Sequence, residues 1–237
     1  MVLKLASWNL HRCIGSDGEQ SVQRCAAVLE EIDADLVALQ EVESNPGHEF
    51  DALTTLARAT GSRAIAGTTM KLDNSDYGNA LLTRLPHSEV RHHDLSVPGR
   101  EPRMAMDLTF DIDGGRLQLV ATHLGLRPAE RREQVQRLLK VFDTVVHDIV
   151  VLAGDLNEWW LWGRPLRALH RLFPETPNRR SWPARVPLLA LDRIWVSPRQ
   201  VLCGLATHRS PLARQASDHL PLVAELQWPP PGKSQTR

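Results

Sequence analysis

Cysteine is scarce in this 237-residue chain: Cys13, Cys25 and Cys203 are odd in number and show no paired spacing. That excludes a disulfide framework or a cysteine-rich zinc site as the expectation and points to reduced thiols in a cytoplasmic setting. No apolar run reaches membrane-spanning length, and the N-terminus has no hydrophobic stretch long enough for a secretory signal. Net charge is missing too, since 28 Lys and Arg balance 28 Asp and Glu. There is no internal repeat, no linker-like stretch and no low-complexity tract beyond the prolines at 229–231. With 42% hydrophobic residues the chain can bury a sizeable core. A soluble, monomeric single domain over residues 1–228 with a flexible tail at 229–237 is expected.

The balanced total hides an asymmetry. Residues 1–60 carry four bases and ten acids, whereas residues 160–215 carry ten Arg, no Lys and two acids. The basic lobe suits either a polyanionic partner or solvated loops. Hydrophobic periodicity alternates between strands and helices along the chain. Helices are expected at 21–32, 48–60 and from Pro128 onward. The last of these sets Val135, Leu138, Leu139, Phe142, Val145 and Val146 inside, with Arg131, Arg132, Arg137 and Lys140 outside. Residues 62–66 read as a short strand and 70–76 as a polar loop. Residues 77–84 and 89–97 are expected to pair antiparallel around Pro86. Residues 104–111 and 116–124 read as a hairpin through Asp113-Gly114-Gly115.

The most informative stretch is Ile149-Val150-Val151-Leu152-Ala153-Gly154-Asp155-Leu156-Asn157. Its apolar part reads as a buried strand that ends with Asp155 and Asn157 on one face, because side chains alternate in extended chain. An unpartnered acid at the end of such a strand is costly. The same arrangement recurs. Asn9 closes the face of Leu3, Leu5 and Ser7; Glu41 that of Val37 and Leu39; His123 that of Leu117, Leu119 and Ala121. Asp192 opens the face of Ile194 and Val196, and Ser217-Asp218-His219-Leu220-Pro221 precedes the last strand. Carboxylates gathered in one crevice repel one another unless protonated or bridged by a cation. Carboxylate and amide oxygens suit Mg²⁺ or Mn²⁺ better than zinc.

Seven segments together resemble the ordered motifs of the endonuclease/exonuclease/phosphatase superfamily: Ser7-Trp8-Asn9-Leu10, Leu39-Gln40-Glu41-Val42, Tyr77-Gly78-Asn79-Ala80-Leu81-Leu82, Thr122-His123-Leu124, Gly154-Asp155-Leu156-Asn157, Leu191-Asp192-Arg193-Ile194 and Ser217-Asp218-His219-Leu220-Pro221. The resemblance runs from residue 7 to about 226. It implies an α+β fold, a four-layer α/β/β/α sandwich of two mixed sheets flanked by helices, and Mg²⁺- or Mn²⁺-dependent hydrolysis of a phosphate ester. By the same resemblance Glu41 is the principal metal ligand, with Asn9 on metal or phosphate and Asp218 as a further ligand. His219 is the general base oriented by Asp192, and Asp155 aligns or helps deprotonate the attacking water. Asn157 and His123 donate to phosphoryl oxygens, and Tyr77 and Asn79 contact the phosphate side.

Substrate stays open. His123 resembles the pancreatic deoxyribonuclease and neutral sphingomyelinase branches more than apurinic-site endonucleases. A phosphodiesterase with nuclease-type activity is expected first, and a phospholipid or small phosphoester enzyme second. A binding module without catalysis comes last. The nuclease reading requires a continuous groove from Arg164 to Arg214. Trp159, Trp160 and Trp162 either fold into the core or form an exposed rim. Arg103 and His11 either contact phosphate or serve as plain surface residues.

Overall fold

Two runs of alternating burial, each with its own partner helices, sort the strands into two sheets. The computed structural model describes residues 1–48, 51–142, 147–160, 164–174 and 177–230. In chain order the strands are Val2–Asn9 (β1), Leu36–Ser44 (β2), Arg63–Lys71 (β3), Asp76–Thr83 (β4), Glu89–Asp94 (β5), Met104–Ile112 (β6), Gly115–His123 (β7), Ile149–Asp155 (β8), Asp192–Ser197 (β9), Leu202–Thr207 (β10) and Leu222–Gln227 (β11). The helices are Val22–Ile32 (α1), Ala52–Thr60 (α2), Pro128–Leu139 (α3), Leu169–Leu172 (α4) and Ala213–Ala216 (α5). One sheet has the order β10-β11-β1-β2-β4-β3 and the other β5-β6-β7-β8-β9. Both are mixed, because β1 runs parallel to β2 and β7 parallel to β8.

The inner faces meet in one apolar core, with Leu3, Leu5, Leu36 and Ala38 opposite Leu119, Ala121, Val151 and Ile194. Outside the first sheet, Ala6, Trp8, Val37 and Leu39 pack with Val28, Leu29 and Leu56 of α1 and α2. Outside the second, Val120, Leu152 and Trp195 pack with Val135, Leu138 and Leu169 of α3 and α4. This is the expected four-layer α+β sandwich. Local chemistry sets the helix starts. Ser21 accepts the Arg24 N–H at 3.2 Å, Asp51 accepts the Thr54 N–H at 2.8 Å, and Pro128 occupies the first turn of α3.

Three expectations fail. Strands β4 and β5 do not pair, because both edges of β4 are already taken by β2 and β3, so the chain crosses to the other sheet and β5 pairs with β6. The stretch at 62–66 extends to Lys71, since β3 keeps pairing with β4 as far as Asp76. Arg131 is also not on an outer face. It is buried, donates to the carbonyls of Gly125 at 3.1 Å and Leu126 at 2.6 Å, and pairs with buried Glu158 at 3.1 Å. Val145, Val146 and residues 231–237 of the expected tail lie outside the described residues. Among the described residues no helix is long and apolar enough to cross a membrane.

Candidate active site

Parallel pairing brings the C-terminal ends of β1 and β2 to one rim of their sheet, and those of β7 and β8 to one rim of theirs. In register, His123 lies beside Asp155, and Asp155 lies opposite Asp192, which starts the antiparallel β9. Three candidate site residues from distant sequence positions therefore meet at one level. Gly154 lets the two strands approach. Its φ is +142°, and a Cβ there would lie 1.8 Å from the Thr122 carbonyl oxygen.

Two residues reach the site by leaving regular strand geometry. Pairing of β2 with β4 slips between Leu39 and Val42, and Glu41 has φ +54°. This bulge turns the carboxylate inward. Val37 and Leu39 face the helices, so the expected common face of Val37, Leu39 and Glu41 does not form. Asn157, at φ +50°, is held by its own N–H on Asp155 Oδ1 at 2.9 Å. Asp155 and Asn157 thus share the site through an Asx turn and not through strand alternation.

Asn9 Nδ2 donates to Glu41 Oε1 at 3.0 Å and to Asp155 Oδ2 at 3.1 Å, while its oxygen accepts the His11 N–H at 2.9 Å. Asn9 therefore clamps two carboxylates, and its oxygen is turned away from them toward the His11 N–H. His219 Nδ1 is 2.8 Å from Asp192 Oδ2, and its Nε2 is 3.8 Å from Asp155 Oδ2. Asp155, Asp192 and His219 can offer ligand atoms within 4.8 Å of one another. Because Nδ1 already faces Asp192, these three form a line of carboxylate, imidazole and carboxylate. Of Glu41, Asp155 and Asp192, Glu41 is the most open, with a side chain 21% exposed.

The two imidazoles respond oppositely to this surrounding. Burial pushes His123 down to about 3, with the Arg103 cation adding to it and Asp155 opposing. For His219 burial acts in the same downward direction, but Asp192, with Asp155 and Asp218 behind it, outweighs burial and pushes it up to about 10. Linkage gives the signs. The raised His219 contributes stability that is full below its ordinary value of 6.5 and disappears as pH rises through about 10. The depressed His123 contributes stability that is full above 6.5 and is lost as pH falls toward 3. Metal-free protein is accordingly expected to be most stable near neutrality, with an alkaline loss removed in His219→Gln and an acid loss reduced in His123→Gln. Thermal denaturation across pH measures this, and identical profiles in wild type and both variants would contradict it.

The remaining expected residues fall into place unevenly. Tyr77 is half-buried, and burial followed by the charges of Glu41 and Glu101 pushes its phenol up. Asn79 donates to the Met104 carbonyl at 3.3 Å. Asp218 accepts Trp182 Nε1 at 3.1 Å and lies 3.7 Å from half-exposed His11. Arg103, expected either on phosphate or on the surface, is 7% exposed and spends its fork inward on His123 Nδ1 at 3.0 Å and Glu101 at 3.1 Å. Trp159 and Trp160 are exposed at 49% and 70%, which favours the rim over the core; Trp162 lies outside the described residues. Half of the basic lobe's ten arginines are engaged by the fold itself, since Arg179, Arg185, Arg193, Arg199 and Arg214 each donate to backbone carbonyls.

Sequence reading missed the supports of His219. Ser181 Oγ donates to Asp192 Oδ2 at 2.5 Å, Trp8 Nε1 donates to the His219 carbonyl at 2.8 Å, and Ser217 Oγ accepts the His219 N–H at 3.2 Å. Ser181 lies in a stretch without periodicity, so nothing in the sequence marked it.

Known proteins resemble this chain in sequence and in fold. The sequence model described as "Endonuclease/Exonuclease/phosphatase family" matches residues 6–219. The uncharacterised protein YbhP of Escherichia coli strain K12 is 33% identical over 215 residues, covering 82% of this chain and 84% of YbhP. Among solved structures, an endonuclease/exonuclease/phosphatase from Beutenbergia cavernae superposes with TM-score 0.75 at 24% identity over 95% of this chain and 71% of that one. A functionally unknown conserved protein from Enterococcus faecalis gives TM-score 0.80 at 20% identity, over 95% and 99%. D. rerio TDP2 complexed with single strand DNA product gives 0.69 at 18%, also over 95% and 99%. At these identities the structural likeness speaks for the fold.

Proposed function

The chain belongs to the endonuclease/exonuclease/phosphatase family, and from that premise we propose that it is a Mg²⁺- or Mn²⁺-dependent phosphodiesterase with nuclease-type activity. The observation that carries this reading is the Asp192–His219–Asp155 line, whose Asp155 is clamped together with Glu41 by Asn9. The donor set fits a hard divalent cation. Glu41 and Asp155 place oxygens on one amide nitrogen, and no cysteine is near enough to make the site soft. Glu41 would hold the ion, with Asp155 beside it and Asp218 as the further candidate. When bound, the cation supplies positive charge that polarises a phosphoryl oxygen and draws carboxylate charge away from His219.

The side chains carry the other steps. Asp192 orients His219, whose Nε2 takes the proton of an attacking water aligned by Asp155. Asn157 and His123 present N–H groups to the non-bridging oxygens as negative charge grows there. Tyr77 and Asn79 line the phosphate side. D. rerio TDP2, solved as a complex with single strand DNA product, supports a nucleic-acid substrate for this chain by family analogy. A second reading, hydrolysis of a phospholipid head group, is favoured by one observation: exposed Trp159 and Trp160 follow Asn157 directly, and Leu126, also exposed, is tied to the same corner through Arg131.

The test is hydrolysis of single- and double-stranded DNA, RNA, a choline phosphodiester lipid and a simple phosphomonoester, with Mg²⁺ or Mn²⁺, with excess chelator, and with Asp155→Ala. Cleavage of the polymers that vanishes with chelator and in the variant is expected. Lipid cleavage alone would replace the first reading by the second. Full turnover in chelator would remove both.

A further inference from the structure

Arg103 and His123 meet in the interior with a geometry that leaves little choice of proton position. His123 is 3% exposed, and its Nδ1 lies 3.0 Å from Arg103 Nη1. A guanidinium has only donors and keeps its charge at any pH the fold survives. Nδ1 must therefore accept, and the single proton of a neutral ring must sit on Nε2. The far side of the ring agrees. Nε2 faces Asp155 Oδ2 of β8 at 3.6 Å and Glu41 Oε1 of β2 at 4.0 Å, both of which favour an N–H.

One group competes. Asn157 Nδ2, identified as nitrogen by its 2.9 Å bond to the Leu124 carbonyl, lies 3.0 Å from Nε2 and would favour the opposite tautomer. Two facts decide against it. A charged donor makes the stronger hydrogen bond, and Asn157 has the Leu124 carbonyl as an alternative acceptor whereas Arg103 Nη1 has only His123 among the described hydrogen bonds. Arg103 is itself held in place, through Glu101 Oε2 on Nη2 and through Ser96 Oγ on its backbone N–H at 3.2 Å.

We propose that Arg103 is a positioning residue that holds His123 as the neutral Nε2–H tautomer, with that N–H aimed at the side of the site where Asp155 and Glu41 converge. His123 is then a fixed uncharged donor, and proton transfer is left to His219. The partners are opposite by design of the fold: a carboxylate on Nδ1 of His219 makes that nitrogen a donor, and a guanidinium on Nδ1 of His123 makes it an acceptor. That the donor serves a phosphoryl oxygen rests on the proposed phosphodiesterase reading; the tautomer does not.

The test is long-range ¹H–¹⁵N correlation spectroscopy of histidine-labelled, metal-free protein at neutral pH. In wild type, His123 is expected to show an unprotonated Nδ1 and a protonated Nε2. Arg103→Met is expected to move it toward the Nδ1–H form, because Asn157 is then the remaining donor, and Arg103→Lys is expected to restore the original pattern in part. An Nδ1–H or doubly protonated ring in wild type would overturn the proposal, as would an unchanged pattern in folded Arg103→Met. If that variant fails to fold, the wild-type spectrum alone decides. With an active enzyme, Arg103→Met should lower kcat by about 10- to 100-fold with little change in KM. A protein with the Nε2–H ring but no hydrolysis defeats the proposed function alone, and an active hydrolase with the Nδ1–H ring defeats this inference alone.

Discussion

Replacing His219 with glutamine or alanine is expected to lower turnover by roughly three to four orders of magnitude. Both variants remove the imidazole whose nitrogens stand between Asp192 and Asp155, and with it the group placed there to take a proton from water. They should differ in stability. Asp192 is fully buried; its Oδ1 has no partner among the described residues, and its Oδ2 is shared by Ser181 and His219. Alanine leaves that carboxylate with Ser181 alone, and a buried charge stripped of its partner destabilises by about 3–5 kcal/mol. Glutamine can still donate to Asp192 and should lose much less. Measuring kcat and thermal stability side by side separates the two effects. Near-native turnover in His219→Gln would end the assignment of His219 as base.

The largest structural effect is expected at Gly154→Ala. Thr122 and Gly154 are register partners in the parallel β7–β8 pair. An added methyl carbon would stand 1.8 Å from the Thr122 carbonyl oxygen, a backbone atom that cannot swing aside, at a φ of +142° that non-glycine residues avoid. The strands must separate there, at a penalty of about 3 kcal/mol or more from overpacking and backbone strain together. Because His123 and Asp155 form the next pair along the ladder, hydrolysis should fall with stability. Gly99→Ala is the control. It too has positive φ, +71°, but nothing lies within 4 Å of the new carbon, so backbone strain of about 1 kcal/mol is all that should appear. Equal denaturation temperatures for the two variants would show that close approach of β7 and β8 is not what Gly154 serves.

Much of the layout follows from one-dimensional patterns. Alternation put Leu3, Leu5 and Asn9 on one face, Leu117 to His123 on another, and Asp192 with Ile194 and Val196 on a third, and each of these faces lines the inter-sheet core. The hairpin at Asp113-Gly114 was legible because both residues take positive φ, +43° and +77°, as such a tight turn requires. These features depend on neighbours along the chain or one strand away, and periodicity reports them directly.

What only tertiary structure decided depends on neighbours far apart in sequence. Glu41 reached the site through a bulge that breaks strand alternation, so the pattern that assigned its face was locally sound and wrong about direction. In sequence Arg131 looks like a surface cation, and Arg103 like a phosphate contact or a surface residue. Each is buried because a distant partner, Glu158 or His123, accepts its hydrogen bonds, and nothing in the local pattern encodes that partner. Strand β4 could not pair with β5 because β2 and β3 had already filled its edges. Sequence by itself determined which sheet face Asn9, His123, Asp155 and Asp192 end. Long-range packing decided which atom of each residue faces which, and proton positions at His123 and His219 follow from those contacts.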